Sequence, residues 1–440
     1  MDTPSSIPMT QALKFWFKLG LISFGGPAGQ IAIMHQELVE RRHWISERRF
    51  LHALNYCMLL PGPEAQQLAT YLGWLMHRTW GGVIAGLLFV LPSLLLLIAL
   101  SAIYMSFGDA PALAALLYGI KPAVTAIVLQ AAHRIGSKTL KNPLLCTIAL
   151  ASFLAIFALN LPFPWIVLLA AIIGFVGQRL RPHDFQLASG HASTHRSTVR
   201  AIIDDDTPAP AHASFRWSRL AVVLTVGMGL WLIPMGLLTA LLGWQHTLTQ
   251  MSWFFTTAAL MTFGGAYAVL PYVYQGAVTH YGWLSPRQMM DGLALGESTP
   301  GPLIMVVAFV AFVGGYQHAA LGSDALLMGG VVAACLVTWF TFLPSFIFIL
   351  AGAPLVESTR DNLNLSAPLT AITAAVVGVI VNLALFFAYH TWWPQGWSGT
   401  VDLVSVSLTA LALIALFYFK RSVMEVLAGS AILGGAFYLF

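Results

Sequence analysis

Cys57-Met58-Leu59-Leu60-Pro61-Gly62-Pro63-Glu64 sets a Pro-Gly-Pro break inside an apolar, helix-periodic segment. It has a twin. Glu297-Ser298-Thr299-Pro300-Gly301-Pro302 repeats the break in the second half, and each copy follows a Phe-Gly-Gly at the same distance: Phe24-Gly25-Gly26 and Phe263-Gly264-Gly265. Both pairs superpose without a gap at a shift of about 239 residues, which also matches Trp44-Ile45-Ser46 to Trp283-Leu284-Ser285. Three matches at a single shift identify a duplicated unit.

The 440 residues are 58% hydrophobic and only 9% charged, with mean hydropathy +0.78, too little charge to cover a soluble surface of this size. An all-α polytopic membrane protein follows, with the lipid bilayer as its solvent. Met1 to Gln11 carry one acid and no basic cluster, so no cleavable signal peptide is expected. Cys57, Cys146 and Cys335 lie in apolar surroundings without CxxC spacing or His partners and are expected to be buried packing residues, neither bridged nor metal-bound. The net charge of +4 sits in short loops between apolar segments, which marks topology and excludes a nucleic-acid patch.

Along the chain, residues 11–39 are helical with an interruption at Gly25-Gly26-Pro27, and Arg41, Arg42, Arg48 and Arg49 follow. Residues 46–78 form two half-length helices around the Pro-Gly-Pro and end at His77-Arg78, so basic residues at both ends predict a re-entrant hairpin. Spans are expected at 82–106, 112–133, 143–160 and 163–178, closing a first transmembrane repeat over 1–180. The hydrophilic stretch 181–217, with its histidines and Asp204-Asp205-Asp206, is expected to be a flexible cytoplasmic linker whose histidines are solvated rather than metal-bound.

Residues 218–440 form the second repeat, led by an extra span at 219–242 that inverts everything after it. The loop matching the arginine-rich 40–49 is Thr279 to Gln288, which retains only Arg287, as an extracytoplasmic equivalent should. Further spans at 323–352, 367–389, 402–419 and 422–440 bring the count to nine full spans and four broken elements. The expected architecture is two inverted-topology repeats with broken, re-entrant helices at the Gly-Gly and Pro-Gly-Pro motifs.

Such repeats place a transport site near mid-membrane. At each break a new helix starts and presents free backbone N–H groups, from Glu64, Ala65 and Gln66 in one half and Leu303, Ile304 and Met305 in the other. With the helix dipole these ends suit an anion, and Gly25, Gly26, Gly264 and Gly265 allow two more backbone segments to approach. Glycine and proline also kink and pack membrane helices without further purpose. Two paired breaks at one register favour the functional reading.

Lys121 is the candidate positive charge, costly in a span unless paired or facing a wet cavity. Glu297 ends a half-helix where the dipole disfavours a carboxylate, which suggests coupling or gating; Glu64 sits at a helix start, where capping and gating are both open. Ser298 and Thr299 are placed to donate hydroxyls to an oxyanion or to cap the next helix, and Gln66 and Gln67 are candidate wet-face donors. No nucleotide fingerprint, haem or flavin signature or intramembrane metal cluster stands in the sequence, so neither an enzyme nor a cofactor is expected.

Phe24-Gly25-Gly26-Pro27-Ala28-Gly29-Gln30, Trp44-Ile45-Ser46, Pro61-Gly62-Pro63-Glu64-Ala65-Gln66, Leu91-Pro92-Ser93, Phe263-Gly264-Gly265 and Pro300-Gly301-Pro302 together resemble the chromate ion transporter (CHR) family, in its long-chain, two-domain bacterial form. The resemblance implies an inner-membrane protein that exports chromate and confers chromate resistance, with sulfate as the competing analogue, and it implies that the duplicated glycine and proline motifs serve transport. The second copy carries Ala266 for Pro27 and Leu303 for Glu64, so the half-sites need not contribute equally. A sulfate or other oxyanion transporter and an anion channel remain open alternatives, and a homodimer is one assembly the sequence permits.

Overall fold

Proline lacks a backbone N–H and glycine tolerates left-handed backbone, so each Pro-Gly-Pro ends one helix and opens another. The computed structural model describes all residues except 1–6, 25, 108–109, 181–200, 206, 208–210, 264, 359–365 and 440. Helices α1 (Met9–Ile22) and α2 (Gly26–His35) flank the first Phe-Gly-Gly, and a π-helical turn (Gln36–Arg41) extends α2. Helix α3 (Glu47–Leu59) runs into the first Pro-Gly-Pro and α4 (Glu64–Phe107) leaves it. The first half closes with α5 (Pro111–Thr139), α6 (Pro143–Phe157) and α7 (Phe163–Leu180), and α8 (Trp217–Leu242) leads to the second.

There, α9 (Thr247–Leu260) and α10 (Ala266–Tyr274) flank the second Phe-Gly-Gly, followed by a π-helical turn (Gln275–His280) and α11 (Pro286–Ser298). Beyond the second Pro-Gly-Pro come α12 (Val306–Gln317), α13 (Leu326–Ser358), α14 (Ser366–Trp392), α15 (Leu403–Phe417) and α16 (Val423–Leu439). Among the described residues there is no strand beyond a single bridge, and the chain is an all-α polytopic membrane protein.

Element bounds recur at the spacing that separates Gly62 from Gly301. It carries α3 onto α11 and one π-helical turn onto the other, end to end. Left-handed backbone recurs too, at Gly26 and Gly265, His43 and Gly282, and Gly62 and Gly301. Helix α4 breaks at His77 (φ −136°, ψ 32°) and Arg78 (φ 59°, ψ −159°), separating a half-length segment from a long apolar one.

Among the described residues six helices are long and apolar enough to cross a membrane. The expected spans 143–160, 402–419 and 422–440 are shorter than predicted: α6, α15 and α16 have 15, 15 and 17 residues. At 1.5 Å per residue they reach about 22–26 Å, less than a hydrocarbon core of about 30 Å. Asn142 and Asp402 start two of them by accepting N–H groups from Leu145 and Ser405. Both starts fall within one residue of the expected position, so the shortening of α6 and α15 lies at their C-terminal ends, Phe157 and Phe417.

The halves exchange their outer helices. Helix α5 packs against α15 and α16 of the second half, while α14 packs against α6 and α7 of the first. Glycines make the approach close: Gly119 faces Ser430 and Gly434, and Gly378 faces Ala149. By contrast, only 11% of the apolar window of α8 is buried, as befits a lipid-facing helix.

Part of the hydrophilic insert is tied to the first half, where a flexible stretch is expected. The Ile202 and Ile203 N–H groups donate to the His43 and Trp44 carbonyls (2.9 Å each), and Ser46 N–H returns to Ile203 O (3.0 Å). Ser46 Oγ donates to Asp205 (2.6 Å), and His212 Nε2 meets the Trp74 carbonyl (3.0 Å). Residues 181–200 lie outside the described part. A further correction concerns the cysteines: Cys57 is buried, but Cys146 and Cys335 are exposed on the bundle's outer surface.

The close contact of α5 with α16 makes Gly119→Leu a steric test of the exchanged packing. Overpacking of this kind costs about 1–3 kcal/mol. Thermal unfolding of detergent-solubilised protein, followed by size exclusion, should shift to lower temperature for Gly119→Leu and stay unchanged for Gly229→Leu, whose Cβ points into open space.

Candidate functional site

The two Pro-Gly-Pro breaks complete each other. Gly62 N–H donates to the Thr262 carbonyl (2.7 Å), and Gly301 N–H donates to the Ser23 carbonyl (2.8 Å). Ser23 and Thr262 occupy matching positions, each just before the Phe-Gly-Gly of its own half. Their hydroxyls bond back one turn, to Leu19 O (2.5 Å) and Ala258 O (2.7 Å), which leaves the backbone carbonyls to serve the opposite half. The four broken segments therefore meet at one place.

Both break glycines adopt backbone that other residues rarely reach, with φ of +129° at Gly62 and +106° at Gly301. A Cβ on Gly62 would meet Ser345 Oγ, and one on Gly301 would meet Ser93. These serines belong to a further duplicated motif that sequence reading quoted once only, Leu91-Pro92-Ser93 and Leu343-Pro344-Ser345. Its copies stand at a different spacing from the other repeats, and a search for the tripeptide alone would have found them. Each serine faces the break glycine of the other half.

Around this crossing the first half is polar. Gln30 Nε2 donates to the Gly301 carbonyl (2.5 Å), and Gln67 Nε2 donates to the Pro61 carbonyl (2.8 Å). The Oε1 atoms of Gln30, Gln66 and Gln67 and the hydroxyls of Ser93, Thr338 and Thr341 are buried without a hydrogen-bond partner. Gly26 and Gly265 lie at the crossing's Phe-Gly-Gly segments; Gly25 and Gly264 lie outside the described residues.

The two half-helix starts differ. In α4 the first N–H taken up at the helix start is that of Gln67, bonded to Pro63 O (3.0 Å), so Glu64, Ala65 and Gln66 keep the orphan N–H groups of a helix N-terminus. After Pro300-Gly301-Pro302 the chain winds first into a tighter 3₁₀ turn, Leu303–Met305, whose Met305 N–H bonds Pro302 O (2.9 Å). Three free N–H groups are thus expected there and only those of Leu303 and Ile304 remain, both on buried apolar residues.

The acidic and hydroxyl candidates are largely engaged. Glu297, 6% exposed, accepts a hydrogen bond from Tyr267 (2.6 Å), a partner that sequence reading missed. Ser298 and Thr299 donate back into α11, to Leu295 O (3.0 Å) and Gly296 O (3.1 Å), and so do not cap the next helix. Lys121 is not a free cation beside the breaks: its Nζ lies 2.9 Å from Asp291 Oδ1, and Tyr104 donates to Asp291 Oδ2 at 2.9 Å. Asp291, a buried acid within Met289-Met290-Asp291-Gly292-Leu293, is as conspicuous as Lys121 and was overlooked. A separate cavity of about 1090 Å³ is lined largely by aromatic side chains, including Phe254, Tyr274, Phe386 and Trp393, with His280 and Asn382 among its polar members.

The family model for chromate transporters matches residues 10–175 and 249–435. A chromate transport protein of Cupriavidus metallidurans is 27% identical over 99% of this chain and 94% of its own length. The chromate transport protein of Pseudomonas aeruginosa is 34% identical over 86% of this chain and 80% of its own, and a probable chromate transport protein of Synechococcus elongatus is 28% identical over 84% and 82%. No solved structure matches the chain. With both halves covered by the family model and relatives aligned along most of its length, the chain belongs to the chromate transporter family.

Proposed function

We propose that this protein exports chromate across the bacterial inner membrane, binding the oxyanion where the two Pro-Gly-Pro breaks cross. The observation that carries the reading is the reciprocal bonding of Gly62 and Gly301 to the opposite half, set beside the unpaired N–H groups of Glu64, Ala65 and Gln66. Backbone donors, the free N–H groups of Glu64, Ala65 and Gln66 after Pro61-Gly62-Pro63 and of Leu303 and Ile304 after Pro300-Gly301-Pro302, replace the hydration shell of a tetrahedral dianion without intramembrane arginines. Glu64 and Glu297 stand at the two breaks as gating or coupling carboxylates. The inverted topology rests on charge: basic residues cluster at 41–49 in the first half, whereas only Arg287 occupies the matching loop.

The energetics favour export. A dianion leaving a cell held at about 100 mV, inside negative, gains on the order of 4 to 5 kcal/mol, at roughly 2.3 kcal/mol per charge. That sustains about a thousandfold gradient without a coupled ion.

Labelled chromate entry into inside-out vesicles, with a potential positive inside the vesicle, tests this directly. Saturable uptake that excess sulfate suppresses is the expected result. Folded protein without uptake would remove chromate export and turn attention to other oxyanions. Substitution at the crossing should be severe and position-specific: forcing a Cβ onto these backbones costs about 1–3 kcal/mol. Gly62→Ala and Gly301→Ala should each lower uptake at least about tenfold, whereas Gly236→Ala on lipid-facing α8 should match the unsubstituted protein.

A further inference from the structure

One buried ion pair stands away from the crossing. Lys121 on α5, Asp291 on α11 and Tyr104 on α4 bring both halves together around one carboxylate, with the Lys121 and Asp291 side chains 14% and 3% exposed. Asp291 lies seven residues before Ser298, about 10 Å along the helix from the break. Burying such a pair costs desolvation energy that a well-packed apolar pair would avoid, so it provides little reason for itself as a stabiliser.

Helix α4 connects the pair to the crossing. Ser93, Ser101 and Tyr104 fall on one stripe of that helix, eight and then three residues apart. Ser93 lies against Gly301, and Tyr104 is bonded to Asp291. The Ser93 and Ser101 side chains are 1% and 0% exposed, and neither hydroxyl has a hydrogen-bond partner. A hydroxyl left unpaired in an apolar interior is costly, and an oxyanion is an acceptor that satisfies it. The stripe spans about 16 Å from Ser93 to Tyr104.

Building on the oxyanion transport read above, we propose that Lys121, Asp291 and Tyr104 form a second oxyanion station, reached from the crossing along Ser93 and Ser101. Asp291 is its built-in counter-anion. A substrate dianion displaces the Asp291 carboxylate from Lys121 while Tyr104 keeps its hydrogen bond to Asp291; the returning carboxylate then expels the substrate. Arg287, one turn earlier on α11, adds to the positive potential at Lys121 and Tyr104. Under the proposed topology this station lies between the crossing and the outer face, on the exit side of an exporter.

Initial rates of labelled chromate uptake into inside-out vesicles, measured across chromate concentrations, separate KM from maximal rate for each variant. Asp291→Asn leaves Lys121 without its competitor, so KM should fall about tenfold and the maximal rate should fall with it as release slows. Lys121→Ala should raise KM, Lys121→Arg should restore it, and Ser101→Ala should lower the maximal rate alone. A purely structural pair predicts otherwise: reduced maximal rate with unchanged KM in both Asp291→Asn and Lys121→Ala, a result that overturns the station. If Asp291→Asn does not fold, Lys121→Ala/Asp291→Ala, which removes both charges, is measured instead; a raised KM supports the station and an unchanged KM overturns it. Absence of uptake by the unsubstituted protein strikes the transport reading itself, so the two failures are distinguishable.

Discussion

Breaking a helix inside a bilayer leaves backbone groups that no lipid can satisfy, and everything at the centre of this protein follows from how they are paired. Gly62 N–H and Gly301 N–H each find a carbonyl in the opposite half, at Thr262 and Ser23. Neither break is complete alone. The same dependence extends outward, because α5 is clothed by helices of the second half and α14 by helices of the first. The broken segments are thus held by bonds to the opposite half rather than by their own short helices.

On this shared scaffold the chemistry is unequal. At the spacing that maps Gly62 onto Gly301, the polar Gln30, Gln66 and Gln67 correspond to Val269, Met305 and Val306. The first half therefore supplies the amide side chains and the open helix start, and the second supplies a tight 3₁₀ turn and apolar cover. The acids differ as well: the first half places Glu64 at the start of α4, whereas on the second half's α11 Glu297 accepts from Tyr267 and Asp291 is held by Lys121 of α5 and Tyr104 of α4. A duplicated backbone frame with divergent side chains makes the two sides of the crossing chemically distinct.

The duplicated frame was legible in the sequence because backbone geometry has few substitutes: φ values above +100° at Gly62 and Gly301 call for glycine wherever they recur. Helix breaks and repeat register could be read from that, and membrane class from the 58% hydrophobic, 9% charged composition. The partners could not. Gly62 with Thr262, Gln30 with Gly301 and Lys121 with Asp291 are contacts across the halves between residues far apart in the chain, and local pattern carries no trace of them. The twin of Leu91-Pro92-Ser93 escaped because its spacing differs from that of the other motifs. Hydropathy also overestimated α6 and α15 at their C-terminal ends, and low complexity hid the anchoring of Ile202, Ile203, Asp205 and His212, whose backbone and side-chain bonds reach partners far along the chain.

The central claim is that the crossing of the two breaks is the place an oxyanion occupies. Thr262→Cys, in protein otherwise free of cysteine, puts a thiol on the residue whose carbonyl holds Gly62. Its rate of modification by a small, water-soluble thiol reagent is then measured with and without chromate. The account predicts modification that chromate slows in a saturable manner and that sulfate slows at higher concentration. A thiol that reacts at the same rate with and without chromate would contradict it.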